Sequence, residues 1–227
     1  MNRIYVPMTD LDDWKRLLAD PDRQWKSGFS AMSIAQSWYA AKGFPANILS
    51  MLSNAGEPFQ SLTPLAIFPE HPVALPGGAT PAQSDVWVLA SHINGLASIT
   101  VEGKISESFG PTLGQWMAKD TDGRNTRIDF LKRLLGLTDV PGATRYQLLH
   151  RTASAILEAK RFHANVALIV VQSFSETDEG FDDFQAFCAL FGLSNPAEPN
   201  KIIQLGRHEG IPFYAAWVRD HLHSVVT

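Results

Sequence analysis

Asp85, Glu102 and Lys104 are the residues of this chain whose types and spacing suit chemistry most directly. They flank Asn94-Gly95, a dipeptide that strongly signals a two-residue hairpin turn. Counting outward from that turn opposes Ile93 to Leu96, Trp87 to Glu102 and Asp85 to Lys104. Side chains alternate faces along a strand, so the three charged groups fall on one face. Val86, Val88, Ala90 and His92 fall on the other, with Ala97, Ile99, Val101 and Gly103. Opposed residues sit about 5 Å apart at Cβ and diagonal ones about 7 Å, close enough for two carboxylates to hold one hard cation. Magnesium prefers oxygen ligands, keeps several waters, and is typically held by one or two carboxylates plus a substrate phosphate; manganese accepts the same donors. A cation held there could activate water and neutralise charge on a phosphate, while the Lys104 ammonium orients the nucleophile or stabilises the transition state. The chemistry this arrangement suits is metal-assisted hydrolysis of a phosphodiester.

An acidic residue on one strand and Glu-x-Lys on the next resembles the PD-(D/E)XK, restriction-endonuclease-like nucleases, the pattern being carried by Asp85, Glu102 and Lys104. The resemblance implies an α/β (mixed α+β) fold with an αβββαβ core, a mixed central sheet flanked by helices, extra helices at the N-terminus and extra strands at the C-terminus. It also implies a metal-dependent nuclease acting on DNA or RNA, with Asp85 and Glu102 as ligands of Mg (or Mn), Lys104 as a catalytic group and nucleic acid as partner. In that fold the helix before the fourth strand packs near the metal, so Gln147 and Arg151 would contact substrate phosphate, a role that a guanidinium fork suits. The alternative is a non-catalytic binding or interaction protein on the same fold. The stretch Arg145-Tyr146-Gln147-Leu148-Leu149-His150-Arg151-Thr152 is similar to an uncharacterised bacterial domain family, which implies no activity.

The elements that must position these residues read as follows. Thr9 or Asp10 caps a short helix with Trp14, Leu17 and Leu18 inward; a longer helix runs from Ser27 to Lys42, and another from Pro45 to Gly56. Thr63 to Phe68 reads as a short strand. Pro69, Pro72, Pro76, Gly77-Gly78 and Pro81 then read as a loop of some fifteen residues leading to Asp85, with Glu70 and His71 as candidate third ligands. After the hairpin, Pro111 starts a short helix, a loop holding Asp120 and Asp122 leads to a second, and Thr144 to Phe162 forms the longest. That helix carries Gln147, His150, Arg151 and Ser154 as a polar stripe, for which a solvent-facing surface is the plainer reading. Asn165 to Phe174 is an apolar run suited to a strand buried on both faces, and two strands, 202–205 and 212–218, follow a phenylalanine-rich helix.

At 227 residues the chain suits one domain, 1–227, with the nuclease-like core over about 27–174. It has no apolar run long enough for a membrane span and no secretory signal pattern at Met1 to Pro7, so a cytoplasmic location without membrane attachment is expected. Cys188 alone excludes an intrachain disulfide and falls among phenylalanines at helical spacing, as a buried structural residue. No H-E-x-x-H, phosphate-cradling glycine motif or esterase elbow occurs, and His221 and His223 lack a companion ligand. The net charge of -4 opposes nonspecific coating of nucleic acid, although residues 124–163 hold eight basic against three acidic residues, a local +5 that allows a basic surface.

Overall fold

The computed structural model describes residues 4, 6, 8, 10–119 and 121–221; Thr9, Asp120 and His223, drawn on above, lie outside them. Six strands, β1 (Thr63–Val73), β2 (Ala82–His92), β3 (Gly95–Lys104), β4 (Val166–Ser173), β5 (Ile202–His208) and β6 (Ile211–Arg219), make one mixed open sheet ordered β1-β2-β3-β4-β6-β5. The hairpin strands β2 and β3 are antiparallel, as is β1 with β2, whereas β4 runs parallel to both β3 and β6. Parallel pairing of β3 with β4 needs a crossover. It is supplied by α5 (Leu113–Met117), α6 (Asp122–Leu135) and α7 (Tyr146–Arg161).

Helices cover both faces. On one, α3 (Ser30–Ala41) and α4 (Ala46–Asn54) bury Ile34, Trp38, Ile48 and Leu52 against Val86, Val88, Ile99 and Val101. On the other, α6, α7 and α8 (Phe181–Ala189) bury Leu131, Leu148, Ile156 and Phe184 against Ile169, Val171 and Trp217. Alternate residues of β4 feed the two cores, Leu168 and Val170 one, Ile169 and Val171 the other, which is why its sequence is apolar throughout. Two short helices, α1 (Asp12–Lys15) and α2 (Pro21–Gln24), precede α3, and the fully buried Trp14 anchors them to the first core.

Three expectations are corrected. The hairpin turns on Ile93-Asn94, with His92 opposite Gly95 and Val86 opposite Val101, so the register differs from the expected one by two residues. The cause is Asn165: its Nδ2 donates to the Asn94 carbonyl at 3.0 Å and its Oδ1 bonds His92 Nε2 at 2.8 Å. A side chain on Gly95, whose φ is 148°, would meet Asn165 at 2.9 Å. Two residues is a full pleat repeat, so the sharing of faces is unchanged. Second, β1 runs on through Pro69 and Pro72 to Val73, shortening the loop, because β1 is the edge strand of the sheet, bridged on its outer side at Ile67 by Ile4, and proline is tolerated at an edge. Third, the polar stripe of α7 does not face solvent: the helix covers the polar hairpin face, where Ser98, Thr100 and Glu102 are buried and Thr100 Oγ1 donates to the Arg151 carbonyl at 3.2 Å.

Candidate active site

Glu102 is the hub. It lies on β3, only 3% exposed, and accepts three hydrogen bonds: Lys104 Nζ at 2.7 Å and Gln147 Nε2 at 2.5 Å on Oε1, and Arg151 Nε at 2.6 Å on Oε2. Lys104 reaches it because residues two apart on a strand share a face, and Gln147 and Arg151 because four residues make one helical turn. The polar stripe of α7 therefore points inward and divides. Ser154 bonds the His150 carbonyl at 2.8 Å, while Tyr146 and His150 line a second cavity of about 410 Å³ with Trp116, Arg124 and Arg127. Lys104 Nζ also stands 5.0 Å above the Phe109 ring.

Asp85, half-buried, sits where the β2–β3 ladder ends, and its Oδ2 accepts the Gly103 N–H at 2.7 Å in place of a backbone carbonyl. Gly103 is the spacer between Glu102 and Lys104, and a side chain there would come within 3.2 Å of Ile34 on α3. The small spacer lets α3 pack directly behind the charged cluster. Glu70, on β1 with φ of 50°, accepts Gln83 Nε2 at 2.9 Å on Oε2, while its buried Oε1 has no hydrogen-bond partner among the described residues. Glu70, Gln83, Asp85, Glu102, Lys104, Gln147 and Arg151 line one cavity of about 460 Å³.

The electrostatics divide these carboxylates. Burial alone would raise the Glu102 carboxyl, but the Arg151 and Lys104 charges and hydrogen bonds outweigh it and hold it at about 2. Burial, and then the Glu102 charge, push Asp85 up to about 7; burial, and then the Asp85 charge, push Glu70 up to about 8. Glu102 is thus a fixed anion beside two carboxyls that shed protons near neutrality. Burial, and then the neighbouring Arg151 charge, hold His150 well below its usual range.

All five residues expected at a site, Asp85, Glu102, Lys104, Gln147 and Arg151, meet in this cavity, and Glu70 joins them. His71 does not. It lies farther along the face that α7 covers, bonds Glu158 at 3.1 Å and stacks on Trp87 with centroids 4.8 Å apart. Gln83 went unremarked in the sequence, although its position two residues before Asp85 puts it on the same face. The Cys188 thiol is buried and pushed up to about 12, in keeping with a structural role.

Six of the eight basic residues of 124–163 are engaged within the chain. Arg127 donates to the Leu75, Pro76, Gly78 and Thr80 carbonyls, Arg145 pairs with Asp183, Arg151 with Glu102, Lys160 with Glu209 and Arg161 with Glu158. Arg124 donates to the Trp116 carbonyl and lies over its ring.

The donor set fits a hard divalent cation. Its oxygens are carboxylate, two of the carboxyls hold displaceable protons, and Glu102 keeps one of its roughly four lone-pair positions after accepting three donors. Among the described residues no three of His, Cys, Asp or Glu cluster tightly enough to hold a metal on their own, so a cation here would draw on one or two carboxylates and on water or substrate.

Fold and site define a mixed α/β protein with a six-stranded sheet and a buried carboxylate–lysine–arginine cluster where its central hairpin meets α7. A model described as a domain of unknown function, DUF6946, matches residues 7–222, and the chain belongs to that family. Neither the curated proteins nor the solved structures yielded a match. Among the described residues no helix is long and apolar enough to cross a membrane.

Proposed function

We propose that the chain is a divalent-metal-dependent phosphodiester hydrolase of the restriction-endonuclease-like kind, acting on DNA or RNA. The observation that carries this reading is the convergence of Asp85, Glu102 and Lys104 from the two strands of one hairpin into a single cavity. The helix–three strands–helix–strand order from α3 to β4, with its antiparallel hairpin and parallel fourth strand, supports the corresponding core. Asp85 and Glu102 would hold Mg or Mn, which when bound lowers the pKa of water and screens phosphate charge. Lys104, 2.7 Å from Glu102, hydrogen-bonds the attacking water and neutralises charge developing on the phosphoryl oxygens. Arg151 fixes the Glu102 carboxylate through Nε, and with Gln147 offers its remaining N–H groups to the phosphate. Water adds to phosphorus, the bond to the leaving oxygen breaks, and that oxygen takes up a proton.

One observation favours the second reading, binding without cleavage: Glu102 already has three donors on it and is almost sealed from solvent. Fold alone does not choose between these. A screen of single- and double-stranded DNA and RNA with Mg or Mn decides, using Asp85→Ala and Lys104→Ala checked for retained fold. Cleavage lost in both supports hydrolysis. Binding without cleavage, unaffected by either substitution, supports the second reading.

A further inference from the structure

We propose that Phe29 and Arg23 form a subsite for one unpaired nucleotide at the mouth of the Asp85–Glu102–Lys104 cavity, so that the ligand is a flexible, unpaired phosphodiester and not a duplex. The naming of that ligand as a substrate rests on the hydrolase reading; the subsite itself does not.

The segment from α1 to the start of α3 forms a fixed wall of the cavity. Trp14 is fully buried in the core, Gln83 Nε2 donates to the Leu17 carbonyl at 3.3 Å, and Leu18 is buried where it lines the cavity. At the other end of the wall the Ser30 N–H donates to Glu107 Oε1 at 2.8 Å, and Glu107 Oε2 accepts the Ile105 N–H at 3.0 Å. Beneath this wall the groups that would meet a phosphate are recessed: Lys104 is 5% and Arg151 7% exposed. A phosphate on the rigid outer ridge of a duplex does not reach such a floor, whereas a single nucleotide does. The volume of about 460 Å³ belongs with small-molecule sites, roughly 300–1,000 Å³.

The rim supplies what such a ligand needs. Phe29 is 40% exposed, and of the exposed large hydrophobics Phe29, Leu49 and Ile93 it alone lines the cavity. An exposed aromatic ring at the entrance to a polar site is a platform for a base, whose π-face stacks whatever its identity. Arg23 lines the same rim, is exposed, and its guanidinium forms no hydrogen bond or ion pair among the described residues. Neither Asp20 nor Glu107, acids that line the same cavity, pairs with it: Asp20 accepts the Arg23 backbone N–H at 3.3 Å and Glu107 takes the two amides above. A free guanidinium on the same cavity rim as an aromatic platform fits the phosphate flanking a stacked base. Away from the cavity, Arg127 and Arg145 are engaged with carbonyls and a carboxylate within the chain, and the net charge is -4.

The test is equilibrium binding to the full chain in EDTA, where metal-dependent cleavage does not run. The probes are the dinucleotides thymidylyl-thymidine and uridylyl-uridine, a single-stranded hexamer, and a duplex of the same sequence. The subsite requires the unpaired probes to bind at least about tenfold more tightly than the duplex, and Phe29→Ala and Arg23→Ala each to weaken them at least about fivefold, with Phe29→Tyr restoring affinity. Both positions are exposed, so these variants keep the fold. A hexamer binding well above the dinucleotides identifies a strand end as the source of the phosphodiester; equal binding identifies a small molecule. A duplex that binds as tightly as the single strand, or affinities unmoved by both alanine variants, overturns the subsite. Unpaired binding that passes these criteria without cleavage under Mg or Mn keeps the subsite and discards hydrolysis. Asp85-dependent cleavage of duplex does the reverse.

Discussion

Replacing Glu102 with glutamine removes the fixed anion that pairs with Lys104 and Arg151 while keeping the size of the side chain. The folded carboxyl titrates at about 2 against an ordinary 4.5, a difference of about 2.5 units that at about 1.4 kcal/mol each makes about 3–4 kcal/mol at neutral pH. No discount for solvent applies, because Glu102 is almost wholly buried. Loss of one partner from a buried ion pair typically costs about 3–5 kcal/mol, so two independent routes reach the same magnitude. The sign of the pH dependence follows from the direction of the shift. A depressed carboxyl contributes fully above its unfolded value and loses that contribution as pH falls through about 2, leaving about 1 kcal/mol at pH 3. Urea unfolding of the wild-type chain and Glu102→Gln, followed by tryptophan fluorescence, should therefore show a deficit of about 3–4 kcal/mol at pH 7 that shrinks by more than half at pH 3. A deficit below about 1 kcal/mol at pH 7, or one that is the same at both pH values, refutes the role of Glu102 as the charged hub.

Asp85 titrates high, so between its ordinary value of 3.8 and about 7 the folded chain binds more protons than the unfolded one, and stability drains as pH rises through that window. Asp85→Asn is expected to raise the melting temperature relative to wild type at pH 8 and change it little at pH 5; equal effects at the two pH values contradict this. Because Asp85 must lose its proton to hold a cation, manganese should raise the wild-type melting temperature more at pH 8 than at pH 5.5, and leave Asp85→Ala unmoved. Arg127→Ala should cost about 2–4 kcal/mol and speed proteolysis within residues 74–81, since four loop carbonyls lose a charged donor; unchanged urea unfolding would exclude that anchoring role.

The site was legible in the sequence to the extent that it depends on local periodicity. Asp85, Glu102 and Lys104 share a face by strand alternation, and Gln147 and Arg151 by helical repeat, so a register wrong by two residues still brought these groups into one cavity. The turn itself was misplaced because Asn165, about seventy residues away, selects it, and no local rule carries that information. The proline-rich run after Phe68 looked like a loop for a related reason: Pro69 and Pro72 are acceptable only at a sheet edge, and strand order is a tertiary property. Whether the arginines of residues 124–163 make a surface or an interior was equally hidden. Their charges are visible in the sequence, but the loop carbonyls and the carboxylates that occupy them are not.

The most direct test of the hydrolase reading is the rate of cleavage of single-stranded DNA and RNA by the wild-type chain with Mg or Mn, against EDTA and against folded Asp85→Ala and Lys104→Ala. Cleavage that EDTA abolishes and that falls at least about a hundredfold in each variant is the expected result, the size typical of losing one group that stabilises a transition state. Asp85→Ala cleaving at the wild-type rate, or a wild-type chain that binds these strands and the cation yet leaves every phosphodiester intact, would contradict it.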